Sequence, residues 1–452
     1  VGPEHPIFDG VSWYGLYWEG AKVGHMNGSA TLTANDGIIV KTALELTIGK
    51  SFTQVNEKKQ FNAAPPHALV KGTLSGSSDQ IEFRQLSEGI EVRSVNGRHQ
   101  MAQVQWTICD EESVSMTDQL GALTEAGAEF SSTYLDVEAL EITHFEHVLE
   151  SVEQQRIGER QHIFQSVLSK VQSKGMTNRL RQRYRDGEAI TLQLGQFEAR
   201  LETKEQALSP IEPTDQIELL TVKSIGRLNT NSLGSIKALT LIVSLDDPLA
   251  KIQEVVRDSQ MQRVQYLDDR NATVRIANYP NESAITPGEE DITPYLAANF
   301  TYPADHPRIV ELAKSIREKL PARASNKTVA EALLRYVAKK IRYELVGTKT
   351  VLTILDDPVG DCTEYAQLLI TLARANGLPA REVTGFIYYQ DDPTDETLGQ
   401  FGGHAWVEIF IDGQWQPMDP TANEITPNKS HVQFKQFMVR GLGFEILDIQ
   451  YY

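Results

Sequence analysis

The sequence predicts an α+β protein: a β-rich N-terminal domain with packed helices, followed by a smaller α+β domain. The prediction depends on hairpin dipeptides early in the chain, a cluster of prolines beyond its middle, and amphipathic helical patterns after that cluster. We therefore expect a β-rich domain over residues 1–280, a proline-rich linker over residues 281–307, and a second domain over residues 308–452.

Four turn dipeptides lie between segments rich in β-branched and aromatic residues, which is typical of antiparallel hairpins. They are Glu19-Gly20, Asp36-Gly37, Asn96-Gly97 and Asp186-Gly187. Two stretches of the same region have helical spacing, Val137 to Glu150 and Pro248 to Gln262, and are predicted to be helices packed on the sheet. After the prolines, Arg308 to Leu320 is predicted to be helical, and Thr328 with Glu331 is predicted to cap the next helix.

The composition excludes several classes of protein. The 452 residues carry a net charge of −18 and contain only two cysteines, Cys109 and Cys362, so neither a disulfide scaffold nor a cysteine-rich metal site is expected. An acidic chain is a poor partner for nucleic acid. The most apolar run, Leu239 to Leu245, is far shorter than the roughly 20 residues that span a bilayer. The chain begins at Val1 rather than Met, and a removed secretory signal is one candidate explanation among others. We predict a periplasmic or other extracytoplasmic location.

Cys362 is predicted to be the first residue of a helix. Asp361 is a typical N-cap, Glu364 completes a capping box, and the following apolar residues recur on one helical face. The N-terminus of a helix favours a thiolate over a thiol. Taken alone, a free cysteine is more often a small buried hydrophobic residue, and we interpret Cys109 in that way.

His404 and Asp419 are predicted to lie on one face of a hairpin. The segment from Gly402 to Ile411 alternates apolar and polar positions, and Asp412-Gly413 makes a two-residue turn. If Ile411 pairs with Gln414 without a bulge, Asp419 lies diagonally next to His404. An acid in that position can orient an imidazole and stabilise its protonated form, which leaves the other ring nitrogen for a thiol.

These motifs together resemble the bacterial branch of the transglutaminase-like superfamily, over about Pro294 to Thr421. Their order and spacing carry the resemblance: Gly360-Asp361-Cys362-Thr363-Glu364, Arg374-Ala-Asn-Gly-Leu-Pro-Ala-Arg381, Gly403-His404-Ala405-Trp406 and Met418-Asp419-Pro420-Thr421. Animal transglutaminases carry Trp where this sequence has Thr363, so neither glutamine specificity nor calcium activation is implied.

The resemblance implies a papain-like core with a catalytic triad of Cys362, His404 and Asp419, and no metal or other cofactor. Cys362 would attack a peptide carboxamide and form an acyl thioester, which is then transferred to an amine or hydrolysed. Tyr343 is the predicted contributor to the oxyanion hole, and Trp406 is a predicted supporting residue. The alternative is a non-catalytic member that binds or braces a protein partner.

No Lys or Arg occurs between Arg381 and Lys429, whereas nine acidic residues do. Four of them, Asp391, Asp392, Asp395 and Glu396, are predicted to form a rim before His404 that attracts a cationic group of a protein or peptide substrate, such as a lysine amine. The alternative is a solvated acidic loop without a role in binding.

Overall fold

The structure, a computed structural model, describes residues 10–33, 37–48, 51–76, 80–95, 97–173, 176–211, 221–279, 291–345, 349–391, 398–435 and 439–452. The chain forms two compact units, Val1–Thr214 and Asp215–Tyr452. Both contain a large sheet, and helices are concentrated in the second unit. The expected α+β class with large sheets is confirmed.

The first unit is built on one antiparallel sheet, in which the described residues form fourteen strands. The strands are β1 (Val11–Trp18), β2 (Ala21–Thr33), β3 (Gly37–Ile48), β4 (Ser51–Phe61), β5 (Leu69–Ser75), β6 (Gln80–Leu86), β7 (Gly89–Ser94), β8 (Gly97–Ala102), β9 (Glu129–Asp136), β10 (Glu141–Ile157), β11 (Arg160–Ser173), β12 (Met176–Arg185), β13 (Glu188–Leu194) and β14 (Phe197–Glu202). Strands β1 to β8 and β9 to β14 form two meanders, which are joined where β1 pairs with β14.

The second unit contains a nine-stranded mixed sheet and a short parallel pair of strands. The strands are β15 (Thr221–Ile225), β16 (Ile236–Ser244), β17 (Gln262–Tyr266), β18 (Asn271–Ala277), β19 (Arg342–Tyr343), β20 (Val359–Gly360), β21 (Ala380–Asp391), β22 (Leu398–Ile411), β23 (Gln414–Met418), β24 (Val432–Phe434) and β25 (Gly443–Tyr451). The order in the large sheet is β17-β18-β16-β25-β15-β22-β21-β24, with β23 paired to β22, while β19 pairs with β20.

Helices of very different lengths connect these strands. They are α1 (Glu112–Ala122), α2 (Lys204–Ala207), α3 (Ile252–Val255), α4 (Pro307–Arg317), α5 (Asn326–Lys340), α6 (Val351–Asp356) and α7 (Cys362–Ala375), with 3-10 turns at Ile108–Asp110, Thr230–Ser235 and Thr293–Tyr295. No described helix is long and apolar enough to cross a membrane.

The predicted hairpins follow from turn chemistry. Glu19 and Gly20 join β1 to β2 and both have positive φ, as do Asp186 and Gly187 between β12 and β13. That backbone matches the twist of the paired strands and is tolerated by Gly, Asn and Asp. Hairpins also form around Gly37 and Gly97, although the preceding Asp36 and Asn96 lie outside the described residues.

The prediction of a helix over Val137 to Glu150 is wrong, because strand β10 covers most of it. Along β10 the side chains of Thr143, His147 and Leu149 are buried and their neighbours are more exposed, which is the alternation of a strand. Thr143 and His147 are polar, so a search for alternating hydrophobic residues does not reveal this strand. The second predicted helix, Pro248 to Gln262, is also wrong over most of its length, because helix α3 covers only the single turn Ile252–Val255.

The start predicted for α5 is also wrong, by three residues. Ser325 is the N-cap, and its hydroxyl accepts a hydrogen bond from the Thr328 backbone N–H at 3.2 Å. Glu331 does not close a capping box and instead pairs with Arg335 at 3.3 Å, one turn further along. Serine and threonine are both good N-caps, so the nearby pattern alone favoured the wrong one.

The structure divides the chain earlier than the predicted boundary at residue 280. Strands β15 to β18 precede that residue, yet they share the mixed sheet with β21, β22 and β25. Hydrogen bonding between strands distant in sequence cannot be inferred from local composition, whereas a proline cluster is conspicuous. The second unit therefore includes a four-stranded portion that the sequence assigned to the first.

The described part of the predicted linker packs against the second unit. Phe300 is 3% exposed, and the Tyr302 ring lies 4.5 Å from the Arg374 guanidinium carbon. Arg374 donates hydrogen bonds to the Ala297 carbonyl at 2.7 Å and to the Ala380 carbonyl at 2.9 Å. Residues 291–306 thus belong to the folded unit, and residues 280–290 lie outside the described part of the chain.

Helix α7 is the centre of the second unit's main core. The predicted apolar face is buried, and so are the remaining positions from Glu364 to Arg374. Helices α4, α5 and α6 pack on one side of α7, and β21 and β22 pack on the other. The N-terminus of α7 is therefore fixed by packing along the whole helix.

Arg381 packs on the Trp415 ring and forms an ion pair with buried Glu408. Its guanidinium lies 4.0 Å from the Trp415 ring and 2.9 Å from the Glu408 carboxylate, and Glu408 is 2% exposed. Removing one member of a buried ion pair leaves an uncompensated charge, at a cost of about 3 to 5 kcal/mol.

We expect Arg381→Ala to lower the free energy of unfolding of the second unit by an amount in that range. Hydrogen exchange of the α7 backbone amides measures it. Arg308→Ala is the control, because Arg308 pairs with Asp356 at the surface and its loss should change little. Equal effects of the two substitutions would contradict the assignment of Glu408 as a buried, paired charge.

Candidate active site

Cys362 is the first residue of α7, as the sequence predicts. The Asp361 side chain accepts a hydrogen bond from the Thr363 backbone N–H at 3.0 Å, and Glu364 completes the capping box by accepting from the Asp361 N–H at 2.9 Å. Cys362 is partly exposed. A partly exposed thiol at a fixed helix N-terminus meets the requirements for a nucleophile.

Gly360 allows the chain to enter α7 at this angle. A side chain at this position would overlap Glu364, because a Cβ atom on Gly360 would lie 2.5 Å from the Glu364 Cβ. Glu364 also accepts a hydrogen bond from the Lys349 N–H at 3.1 Å. Burial, with the nearby Asp361 carboxylate, raises the pKa of Glu364 to about 7. This buried carboxyl thus ties the segment at Lys349 to the start of α7, beside Cys362.

The hairpin of β22 and β23 positions His404 and Asp419. Ile411 pairs with Gln414 and Val407 with Met418 without a bulge, so the predicted register is confirmed. Asp412 and Gly413 both have positive φ, as this tight turn requires. The His404 Nε2 lies 3.0 Å from the Asp419 Oδ2.

His404 is charged at neutral pH in this environment. Burial alone would lower its pKa, but hydrogen bonds with Asp419 and with the Cys362 thiol outweigh burial and raise it to about 10. Since Nε2 faces Asp419, Nδ1 is the ring nitrogen left for Cys362. The sequence-predicted Cys362, His404 and Asp419 are therefore brought together in the expected order.

Asp419 is fully buried and accepts four hydrogen bonds. Besides the bond from His404, its Oδ1 accepts from the backbone N–H groups of Thr421 at 2.8 Å and Ala422 at 3.3 Å. Burial raises the pKa of a carboxyl, yet here the hydrogen bonds from two histidines, His404 and His431, hold the pKa of Asp419 well below its usual range. Asp419 is thus a stable carboxylate.

His431 is a member of the site that the sequence analysis missed. Its Nε2 lies 3.1 Å from the Asp419 Oδ2, and its ring is 4% exposed. It immediately precedes β24, which pairs with β21 rather than with a neighbour in sequence. The only available signal was a histidine twelve residues after Asp419, which does not indicate contact.

His404, Asp419 and His431 each offer a donor atom within 4.8 Å of the others, so they are the described group that could surround a metal ion. A metal would need the lone pairs of both imidazoles. Here both Nε2 atoms lie at hydrogen-bond distance from the same carboxylate oxygen, 3.0 and 3.1 Å, which requires protons on those nitrogens. The donor set fits a hydrogen-bonded cluster better than a metal centre.

The two predicted supporting residues, Trp406 and Tyr343, lie near His404 and Cys362 respectively. Trp406 is 3% exposed, and its ring is 6.1 Å from that of His404 and 5.3 Å from that of His431. Tyr343 is about half exposed and pairs with Gly360 through β19 and β20. Burial, followed by the nearby Cys362, raises the pKa of Tyr343 above its usual value. The proposed acidic rim lies outside the described residues, except for the backbone of Asp391.

Comparison with known proteins identifies the family that this part of the chain matches. Residues 311–420 match the model of the transglutaminase-like superfamily. The predicted resemblance is confirmed over this range, which contains Cys362, His404 and Asp419.

Two curated relatives overlap this chain in part. A protein-glutamine gamma-glutamyltransferase of Pseudomonas aeruginosa is 31% identical over 180 residues, which are 37% of this chain and 25% of that protein. An uncharacterized protein of Mycobacterium tuberculosis is 26% identical over 167 residues, or 34% of this chain and 50% of that protein. The chain thus spans half or less of the length of these two relatives.

Among solved structures, the periplasmic domain of TgpA from Pseudomonas aeruginosa is similar at 21% sequence identity. The match covers 45% of this chain and 88% of that one, with a TM-score of 0.30. A TM-score of this size is too low to establish a shared overall fold.

The raised pKa of His404 predicts a pH dependence of stability. An unfolded histidine has a pKa near ~6.5, whereas the folded value is about 10. The stabilisation is therefore complete below about pH 6.5 and is lost as the pH rises to about 10. We expect the free energy of unfolding of the second unit to fall between about pH 8 and 10, above the range in which Glu364 titrates.

Hydrogen exchange of α7 amides at several pH values measures this slope, with His404→Gln as the comparison. The variant should lose less stability than the wild type over the same range. Equal slopes would contradict a folded His404 that keeps its proton to about pH 10.

Proposed function

We propose that the protein is a thiol enzyme that acts on carboxamide groups of proteins or peptides through an acyl thioester, with Cys362, His404 and Asp419 as its triad. The observation that carries the proposal is the placement of buried His404 between the Asp419 carboxylate, at 3.0 Å, and the partly exposed Cys362. The family match to residues 311–420 supports a cysteine-based chemistry.

In the first half-reaction, the Cys362 thiolate attacks the carbonyl carbon of the amide and forms a C–S bond. The carbonyl oxygen becomes an oxyanion. When the C–N bond breaks, protonated His404 gives its proton to the departing nitrogen, so ammonia or an amine leaves and a thioester remains. Asp419 keeps the imidazole oriented and stabilises its protonated form.

In the second half-reaction, His404 is neutral and accepts a proton from the incoming nucleophile. An amine gives a new amide, so the outcome is cross-linking, whereas water gives an acid, so the outcome is deamidation or proteolysis. The same three residues serve all of these outcomes. The choice depends on which nucleophile reaches the thioester.

The oxyanion requires donors beside Cys362. The Cys362 backbone N–H is one, since helix N-termini carry N–H groups without partners in the helix. Tyr343 is our candidate for the other, because β19 places it opposite Gly360, two residues before the nucleophile. Two further predictions remain. The first is that an acidic rim attracts cationic substrates, and its residues are Asp391, Asp392, Asp395 and Glu396. The second is an extracytoplasmic location.

The rival hypothesis is a non-catalytic protein in which Cys362 is unreactive. The reactivity of Cys109 is an internal reference that distinguishes the two hypotheses. A thiol with an ordinary pKa is only a few per cent thiolate at neutral pH. Cys109 is an exposed free thiol in the same chain, so the expectation that it is a buried hydrophobic residue is wrong. We expect iodoacetamide at about pH 7 to modify Cys362 about tenfold faster than Cys109.

Peptide mass spectrometry of the alkylated protein measures both rates at once. His404→Ala should slow the reaction at Cys362 and leave Cys109 unchanged. Equal rates at the two cysteines, with no effect of His404→Ala, would exclude the thiol enzyme and favour the rival.

The reaction outcome is tested with a pool of peptides that contain glutamine and lysine. Joined peptides with loss of ammonia identify transfer to an amine, a gain of about one mass unit identifies deamidation, and shorter peptides identify proteolysis. We expect at least one of these products with the wild type and none with Cys362→Ala, whereas Cys109→Ala should behave as the wild type. A peptide pool left unchanged by the wild type would contradict this class of substrates.

A further inference from the structure

His431 makes two hydrogen bonds that define its protonation state. Its Nε2 lies 3.1 Å from the Asp419 Oδ2, and its Nδ1 lies 3.0 Å from the Asn428 carbonyl oxygen. A carbonyl oxygen and a carboxylate can only accept, so both ring nitrogens must donate. An imidazole with two N–H groups carries a positive charge.

The alternative is that Asp419 is protonated and donates to a neutral His431. The environment of Asp419 opposes it. The Oδ2 also faces the Nε2 of His404, and the Oδ1 accepts from two backbone N–H groups. A carboxylate with this many donors is ionised. The proton therefore belongs to His431.

Hydrogen bonds within the segment between Asp419 and His431 fix the position of the His431 ring. The Asp419 N–H donates to the Glu424 carbonyl at 2.9 Å, and the Glu424 N–H donates back at 2.8 Å. The Glu424 carboxylate accepts from the Asn428 N–H at 2.7 Å, and Asn428 supplies the carbonyl that His431 contacts. The Trp406 ring packs edge-on against His431 at 5.3 Å.

The other charged groups around His431 have partners of their own. A small cleft is lined by His431, Glu408 and Gln262, among others. Glu408 pairs with Arg381, and Arg263 on β17 donates to the Ser259 and Gln262 carbonyls. Lys429, in the same segment, donates to the Pro427 carbonyl. Asp419 is thus the carboxylate that directly faces the His431 imidazolium among the described residues.

We propose that His431 is a cationic positioning residue, which holds Asp419 and supplies a second positive charge that favours the Cys362 thiolate. The proposal rests on the proposed thiol chemistry and adds a fourth residue to it. With His404 and His431 protonated and Asp419 and Cys362 ionised, the four groups sum to zero charge. Without His431, the same arrangement would carry one net negative charge in a buried site.

The test compares His431→Gln with the wild type. Glutamine keeps an N–H donor for Asp419 but carries no charge. At an effective dielectric constant of about 20, a unit charge roughly 10 Å from a titrating group shifts its titration by about one pH unit. We expect the pH midpoint of Cys362 alkylation by iodoacetamide to rise by about that much, with the backbone hydrogen exchange of α7 unchanged.

His147→Gln is the matched control, since His147 is also buried but has only hydroxyl partners, Ser132 and Ser169. Those partners can accept or donate, and burial lowers the pKa of His147 to about 4, so it is neutral. This variant should leave the midpoint of Cys362 unchanged. A His431→Gln midpoint equal to that of the wild type would overturn the proposal.

Nitrogen NMR of the wild-type histidine rings gives a second test that needs no variant to fold. We expect both ring nitrogens of His431 to carry protons in the folded wild type, and a neutral ring would overturn the proposal. If the proposed function fails instead, Cys362 in the wild type will react no faster than Cys109 and independently of His404, whatever the state of His431.

Discussion

One buried carboxylate organises the candidate site of the second unit. Asp419 has no exposed surface and accepts hydrogen bonds from two histidines and two backbone N–H groups. A buried charge is costly unless all its hydrogen bonds are made. The register of β22 with β23 supplies His404, the turn after Asp419 supplies the two backbone N–H groups, and the return of the chain supplies His431. The raised pKa of His404 depends on that carboxylate.

The apolar core of the second unit meets the polar candidate site at the start of α7. The helix is buried on all sides by α4, α5, α6, β21 and β22, so its first residue has a fixed position. Cys362 emerges where that packing ends, beside the Glu364 carboxyl and the β19–β20 pair. Rigid support beneath a partly exposed thiol is what the nucleophile role that we propose for Cys362 requires.

Local chemistry made much of this predictable. The Asp361 cap and the Asp412-Gly413 turn act within a few residues, so sequence spacing was sufficient to predict the helix start at Cys362 and the contact of His404 with Asp419. Three features were not local: β10 buries polar Thr143 and His147, β15 to β18 join a sheet with later strands, and His431 reaches Asp419 through the pairing of β24 with β21. Each depends on contacts that sequence spacing does not encode.

The central claim is that buried Asp419 holds His404 as an imidazolium beside Cys362. The most direct measurement is nitrogen NMR of the His404 ring across a pH titration, in the wild type and in Asp419→Asn. We expect the wild-type ring to keep both protons until about pH 10, and the Asp419→Asn ring to lose one of them at a lower pH. A wild-type ring that loses its proton at about pH 6.5, as a free histidine does, would contradict the claim.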